Sequence, residues 1–450
     1  MEDTIAAIST ALGVGAISIV RLSGDNAIEI ANKVFKEKNL AEVESHTIHY
    51  GHIYDDNELI DEVLVSVMKS PKTYTGEDVV EINCHGGIIT TNRILETLLN
   101  NGARLAEPGE FTKRAFLNGK KDLMESEAVI DIINSKSEAA RKVAITTISG
   151  KTSKLIHNFR KRLKDLLSQI EVNIDYPEYY DIEVVTEEKI RKEITEMKKE
   201  LQYLIKESEN SYVLKNGIKT VIVGRPNVGK SSILNKLIGQ DKAIVTDIEG
   251  TTRDVIEGEI YLDGILLNII DTAGIRKSND IVEQLGVSKS LSMINEADLV
   301  IVVLNNNEKL TKYDEEILEK TTSKERIVAI NKNDLTKNIN LNKNIENIVY
   351  TNTNTDEGID SLKNKIKELF NLEKIQTKDY TYLTNSRQIS LAKEAYKCLL
   401  SAEKALSMDL PVDMVEIDLM NAFNGLGQII GETYSEEILD NLFANFCVGK

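Results

Sequence analysis

Three short runs in the middle of the chain carry residue types suited to phosphate, divalent-metal and purine chemistry. Gly224-Arg225-Pro226-Asn227-Val228-Gly229-Lys230-Ser231 has the spacing of a phosphate-binding loop. Backbone N–H groups from Asn227 to Ser232 would cradle phosphate oxygens at the N-terminus of the next helix, where the dipole favours anions. Lys230 would reach the β- and γ-phosphates, and the Ser231 hydroxyl would ligate Mg2+. Asp271-Thr272-Ala273-Gly274 supplies a carboxylate for the water shell of the metal and a glycine N–H to sense the γ-phosphate. Thr251 and Thr252 offer hydroxyls for a second contact on Mg2+, which is assigned to Thr252. Asn331-Lys332-Asn333-Asp334 ends in a carboxylate that can accept from both the ring N–H and the exocyclic amine of guanine. Adenine lacks that donor pair and would leave the carboxylate unpaired, so GTP is the expected ligand. Each run alone is also compatible with an ordinary polar turn; in this order and at strand ends, they reinforce one another.

Hydrolysis needs a group that orients water. Ras-like GTPases use a glutamine directly after the glycine of their DxxG run, but Ile275 stands there and an aliphatic chain cannot position water. Glu283, between Arg276 and Gly286, is the candidate, although an isolated glutamate in a charged segment usually sits on a solvated helix face. Arg253 and Arg276 are possible sources of transition-state charge, and a monovalent cation could supply the same charge. Asn227 and the carbonyls of Thr246, Asp247, Ile248 and Glu249, just before Gly250, would form its cage.

These groups must be held by alternating strands and helices. Thr220–Val223, Gly258–Ile270 as a hairpin turning at Asp263-Gly264, Leu299–Leu304, Ile327–Ile330 and Ile348–Tyr350 read as strands of a doubly wound α/β domain. From Ala16 to Ile82, short β-type runs surround one helix, Ala27–Phe35, and two more helices open after Gly86-Gly87 and at Pro108-Gly109-Glu110; together they read as an α+β domain. Beyond Lys120 the period becomes helical. Ile156, Phe159, Leu163, Leu166 and Ile170 form one apolar face, Ile190, Ile194, Met197, Leu201 and Leu204 a second, and Leu391, Ala395, Cys398, Ala402 and Ala405 a third.

At 450 residues the chain is too long for one core. Its net charge of −17 argues against non-specific coating of nucleic acid or anionic membrane. Any RNA contact is then local, at Lys113, Arg114, Lys120 and Lys121 or at Arg160, Lys161, Arg162 and Lys164, each of which alone reads as a solvated helix face. Cys84, Cys398 and Cys447 lie far apart and suggest neither a disulfide framework nor a zinc site, which fits a cytoplasmic protein. No apolar run approaches a membrane span, so no membrane partner is expected.

The nucleotide motifs join terminal signatures in a chain that resembles the tRNA modification GTPase MnmE (TrmE) family along nearly its whole length. Those signatures are Val20-Arg21-Leu22-Ser23-Gly24, Thr75-Gly76-Glu77-Asp78, Cys84-His85-Gly86-Gly87, Pro108-Gly109-Glu110-Phe111-Thr112, Ala115–Lys120 and Phe446-Cys447-Val448-Gly449-Lys450. The resemblance implies a multidomain fold. An α+β N-terminal tetrahydrofolate-binding and dimerisation domain is expected over 1–118. An all-α helical domain would come from 119–214 and 372–450, around an inserted α/β P-loop GTPase (Ras-like) domain at 215–371. It implies a homodimer whose hydrolysis is activated by K+ on Asn227, Thr246, Ile248 and Thr251, with Glu283 orienting water.

The resemblance further implies action with an FAD-containing partner subunit, MnmG or GidA, in a heterotetramer or larger assembly. Aminomethyl or carboxymethylaminomethyl groups would then be added to the 5-position of the tRNA wobble uridine. The one-carbon donor would be 5,10-methylenetetrahydrofolate, with 5-formyltetrahydrofolate as an analogue, bound by Arg21, Glu81, Lys120 and Lys450. From the residues alone Glu81 reads as a strand-end surface residue and Cys447 as an incidental thiol; the resemblance gives Cys447 a part in modification. Two segments depart from the family pattern: Asn352-Thr353-Asn354 in the guanine-supporting loop, and Thr10–Gly15. An alternative reading is a ribosome- or rRNA-associated regulatory GTPase without modification chemistry, which would leave the folate signatures without purpose.

Overall fold

The structure is a computed structural model, and it describes residues 3–175, 187–240, 258–262, 265–270, 293–341, 345–355, 357–370, 381–408 and 411–450. The chain divides into two units: Met1–Ile133 with Thr147–Lys198 and Ser390–Lys450, and Asn134–Thr146 with Lys199–Ile389.

The first unit contains a six-stranded sheet in the order β3-β4-β5-β2-β1-β6. Its strands are β1 (Ile5–Ile8), β2 (Ile17–Ser23), β3 (Thr47–Asp55), β4 (Glu58–Met68), β5 (Val79–His85) and β6 (Arg104–Leu105). Alternation decides which face is covered. Val20, Leu22, Val65, Val67, Val80 and Ile82 pack with the buried faces of α1 (Ala27–Val34) and α2 (Ile88–Asn100). The opposite face carries Ala7, Arg21, Glu81, Ser66 and Ile48 in one cross-strand row, because β1, β2, β5, β4 and β3 pair in that register. β1 was not expected from sequence: four residues, Ile5-Ala6-Ala7-Ile8, are too short to show a period. β4 begins at Glu58 rather than Val63, since its outer half is polar and partly exposed.

Helices α3 (Glu110–Leu117), α4 (Leu123–Ile133), α6 (Lys151–Asp175), α12 (Val412–Ile430) and α13 (Glu436–Phe443) complete this unit, with parts of α7 (Glu187–Asn216) and α11 (Ser386–Ser407); α5 (Glu138–Ile148) straddles the boundary between units. The predicted face of α6, Ile156 through Ile170, is buried and packs against α12, whose own stripe is Val415, Leu419, Ala422, Leu426 and Ile429. Ile190, Ile194, Met197, Leu201 and Leu204 of α7 are buried as well. On α11 the seam is rotated from its expected position. Ala392, Ala395, Leu399, Ala402 and Leu406 are buried, whereas Leu391, Cys398 and Ala405 are only half-covered. Alanines flank both stripes, so periodicity could not choose between them.

The second unit is a doubly wound sheet in the order β12-β11-β10-β7-β9-β8. β7 (Ile218–Val223), β9 (Ile265–Ile269), β10 (Leu299–Asn305), β11 (Arg326–Asn331) and β12 (Ile348–Tyr350) run parallel, and β8 (Gly258–Leu262) is antiparallel to β9. Every residue of β10 is buried, as a central parallel strand requires. α8 (Lys230–Gln240) and α10 (Ile359–Leu369) cover one face, and α9 (Lys312–Lys320) with Met293, Ile294 and Ala297 covers the other. The carboxyl ends of β7, β10, β11 and β12 therefore open on one edge, where such sheets bind ligands. Among the described residues no helix is long and apolar enough to cross a membrane.

Candidate functional site

The loop between β7 and α8 is shaped by residues that tolerate what its backbone demands. Gly229 has φ +104°, and a Cβ there would lie 2.0 Å from Nδ2 of Asn331. Asn227 also adopts a left-handed φ of 62°, a conformation that costs a residue with a side chain about 1–2 kcal/mol. The Lys230 ammonium turns back over the loop and donates to the carbonyls of Gly224 and Arg225, each at 2.7 Å. Burial pushes its pKa below the ordinary lysine value, and no carboxylate pairs with it among the described residues. A half-buried ammonium whose acceptors are two carbonyls favours an anion beside it.

Arg225, to which sequence reasoning gave no role, points out of the loop. It pairs with Glu308 and Asp314, both at 2.9 Å, and Asp314 also caps α9 through Thr311. No local pattern joins residues 83 and 89 positions apart, so only the fold shows this anchor.

Asn331 is the last residue of β11, and Lys332 follows it. Asn331 Nδ2 donates to the Val228 carbonyl at 2.9 Å, and its Oδ1 accepts from the Thr351 hydroxyl at 3.3 Å. One buried side chain thus ties the loops after β7, β11 and β12. Asp334 is exposed, and the chain turns toward it through Lys332, whose φ is 61°. The departing loop is a compact turn: Asn352 Oδ1 accepts from the Asn354 N–H at 3.0 Å, and the Asn352 N–H donates to the Glu357 carbonyl at 2.8 Å. The structure therefore brings Asn227, Val228, Gly229 and Lys230 together with Asn331, and Ser231 and Ser232 lie in the first turn of α8. Thr246, Asp247, Ile248, Glu249, Gly250, Thr251, Thr252, Asp271, Thr272, Ala273, Gly274 and Glu283 lie outside the described residues.

A second cluster forms in the first unit. Arg21 and Glu81 are register partners on β2 and β5, and their side chains bond at 2.8 Å. Glu81 is therefore a half-buried mid-strand residue, not the strand-end surface residue its local sequence suggested, because β5 runs on to His85. Arg21 also donates to the Gly449 carbonyl at 3.1 Å and lies 5.6 Å from the Phe111 ring centroid. The tail reaches it because Gly449, at φ +88°, passes so close to β1 that a Cβ would sit 2.4 Å from the Ile8 carbonyl. Phe446 is anchored among Phe116, Leu123, Leu439 and Phe443. Lys450 is half-buried, and burial first, then Arg21, pushes its pKa down. Lys120 is not tied to this ion pair; it donates to the Pro71 carbonyl at 2.9 Å. The Cys447 thiol is exposed.

The basic clusters are not uniformly solvated faces. Arg114 is 1% exposed and buried against Asp3, Glu77 and Glu110, and Arg160 is buried too, whereas Lys161 and Lys164 are exposed. Their helices turn the arginines inward, where a planar guanidinium can meet several acceptors.

Residues 123–447 match the MnmE helical domain family, and residues 4–120 match the family described as GTP-binding protein TrmE N-terminus. The chain belongs to the MnmE family of tRNA modification GTPases. The tRNA modification GTPase MnmE of Ligilactobacillus salivarius (strain UCC118) is 51% identical over 455 residues, covering 100% of this chain and 98% of its own. The protein of that name from Bacillus cytotoxicus is 49% identical over 455 residues, covering 100% and 99%. Among solved structures, the G domain of the T. maritima FeoB iron transporter is 29% identical, covers 34% of this chain and 98% of its own, and has a TM-score of 0.27. This chain is accordingly an enzyme, a GTP-binding GTP hydrolase of the tRNA-modifying class.

Proposed function

We propose that this chain is a K+-activated GTPase that works as a cytoplasmic homodimer with an FAD-containing partner subunit. It adds aminomethyl or carboxymethylaminomethyl groups to the 5-position of the wobble uridine in certain tRNAs, using a one-carbon unit from a reduced folate. The observation that carries the reading is the presence, in one chain of this family, of a phosphate cradle around Lys230 and a separate cationic cluster at Arg21 and Lys450.

The cradle residues fit GTP. Backbone N–H groups from Asn227 to Ser232 receive phosphate oxygens, Lys230 exchanges its two carbonyls for the β- and γ-phosphates, and Asp334 accepts from guanine. Ser231 and Thr252 would hold Mg2+, with Asp271 toward its water shell, and the metal would supply positive charge to the phosphates. Asn227, Thr246, Ile248 and Thr251 would hold K+, which would supply positive charge to the transition state, and Glu283 would orient the attacking water.

The second cluster fits a reduced folate. Glu81, a carboxylate, accepts from the donor edge of a pterin, and the cations Arg21 and Lys450 pair with a carboxylate tail, with Lys120 at the margin. Lys450 favours an anion because its ammonium is half-buried beside Arg21. Cys447 is assigned to the modification chemistry. The homodimer is supported by the open sheet face, where Ile17, Ile48, Tyr50 and Leu64 are each exposed apolar residues.

The test is a wobble-uridine modification assay with this chain, the partner subunit, 5,10-methylenetetrahydrofolate and GTP, in K+ and Na+ buffers. Modification that requires K+ and is lost in Glu283→Ala is the expected result. Equal GTP hydrolysis in both salts rejects K+ activation, and absence of modified uridine with intact hydrolysis rejects the folate-dependent reading.

A further inference from the structure

The groove between α6 and α12 takes no part in either site described above. It forms an open depression of about 400 Å3, within the range that receives a small organic group. Arg160 forms its floor at 7% exposure. The guanidinium lies 4.1 Å from the Phe423 ring centroid, donates to the Phe423 carbonyl at 3.3 Å and pairs with Glu432. Met420 and Leu167 add an apolar wall.

On the rim, Lys161 and Lys164 are exposed, and neither makes a side-chain hydrogen bond or ion pair among the described residues. Lys154 precedes them on the same helix face, so the row spans about 15 Å at the α-helical rise. Several other cations of this unit are neutralised locally, Lys113 by Asp440, Arg93 by Asp55 and Arg104 by Glu110. In a chain of net charge −17, an unpaired lysine row beside an apolar depression is matched to a polyanion that also carries flat apolar groups.

We propose that this groove seats one unstacked nucleotide of the substrate RNA, its phosphodiester on Lys161 and Lys164 and its base against Met420 and Phe423. The inference rests on the tRNA-modifying reading and adds to it a place of contact. Exposed bases of RNA loops are held by aromatic and apolar side chains, with lysines on the backbone, and the groove offers the partly exposed Phe423 and the exposed Met420 beside Lys161 and Lys164. Glu171 at the margin disfavours a second phosphate there, which limits the seat to a single nucleotide.

The experiment uses the full chain, an unmodified tRNA transcript and the double variant Lys161→Ala/Lys164→Ala, with binding followed by fluorescence anisotropy across a salt series. Both lysines are exposed and unpaired, so folding and GTP hydrolysis without tRNA stay at the wild-type level. The expected result is about tenfold weaker binding at low salt, with the slope of log affinity against log salt reduced by about 0.7, for the one RNA phosphate that the two lysines share. Unchanged affinity and slope overturn the proposal. So does loss of affinity for the FAD-containing subunit with tRNA binding intact, which would give the groove to a protein. A wild-type chain that hydrolyses GTP but binds no tRNA would defeat the underlying reading; normal tRNA binding by the variant defeats only the groove.

Discussion

Nδ2 of Asn331 donates to the carbonyl of Val228 at 2.9 Å, joining the loop after β11 to the phosphate loop after β7. The residues assigned to guanine and to phosphate are therefore not independent: what loosens one loop unseats the other.

Asn331→Ala removes the donor from a buried carbonyl and leaves the Thr351 hydroxyl without its acceptor. The second unit loses about 1–3 kcal/mol, the usual cost of such orphaned groups, and GTP affinity falls about tenfold or more. Denaturant melts and nucleotide titration check this. A variant with lowered stability but wild-type affinity would show that the two loops are not coupled.

Burial holds the Lys230 pKa below 10.5. Between that depressed value and the unfolded one, the unfolded chain binds more protons, so the nucleotide-free protein gains stability as pH rises through the window. Below it the full cost of the buried charge is present. Phosphate needs that charge, so GTP affinity falls over the same alkaline range. Paired melts and titrations from about pH 7 to about pH 10 read both trends. Lys230→Met removes the alkaline gain and binds GTP weakly at every pH.

Gly449→Ala forces a Cβ into the Ile8 carbonyl and strains a left-handed backbone. The tail shifts and Arg21 loses its acceptor on Gly449. Calorimetric binding of 5-formyltetrahydrofolate weakens about tenfold or more, while GTP hydrolysis without tRNA is unchanged. Unaltered folate binding would detach the tail from that site.

Arg114→Ala leaves Asp3, Glu77 and Glu110 without their shared cation and costs the first unit about 3–5 kcal/mol. The same cluster sets the acid limit. Burial alone would raise the Glu110 pKa, but Arg104, the Glu107 N–H and Arg114 hydrogen-bond its carboxylate and hold it below 4.5. Its folded pKa is depressed, so its stabilisation is present above the unfolded value and is lost as pH falls through the folded one. Glu110→Gln lowers stability at neutral pH and flattens the acid limb in urea melts between about pH 6 and about pH 3. An unchanged limb would assign acid sensitivity elsewhere.

Local order was enough for the loop between β7 and α8, the parallel strands and the apolar faces of α6 and α7, because each rests on spacing within a few residues. Gly229 precedes Lys230 by one position, and the apolar stripe of α6 repeats every three or four. The sequence by itself determined which residue types could meet phosphate and guanine, and the family signatures marked Arg21, Glu81 and Lys450. Tertiary structure alone decided that Glu81 lies mid-strand opposite Arg21 and that Arg225 anchors outward on Asp314. It also decided that Arg114 is buried rather than solvated, and that the α11 seam runs through Ala392 and Leu399. These facts depend on strand register and on contacts between residues far apart in the chain, and neither leaves a periodic trace along it.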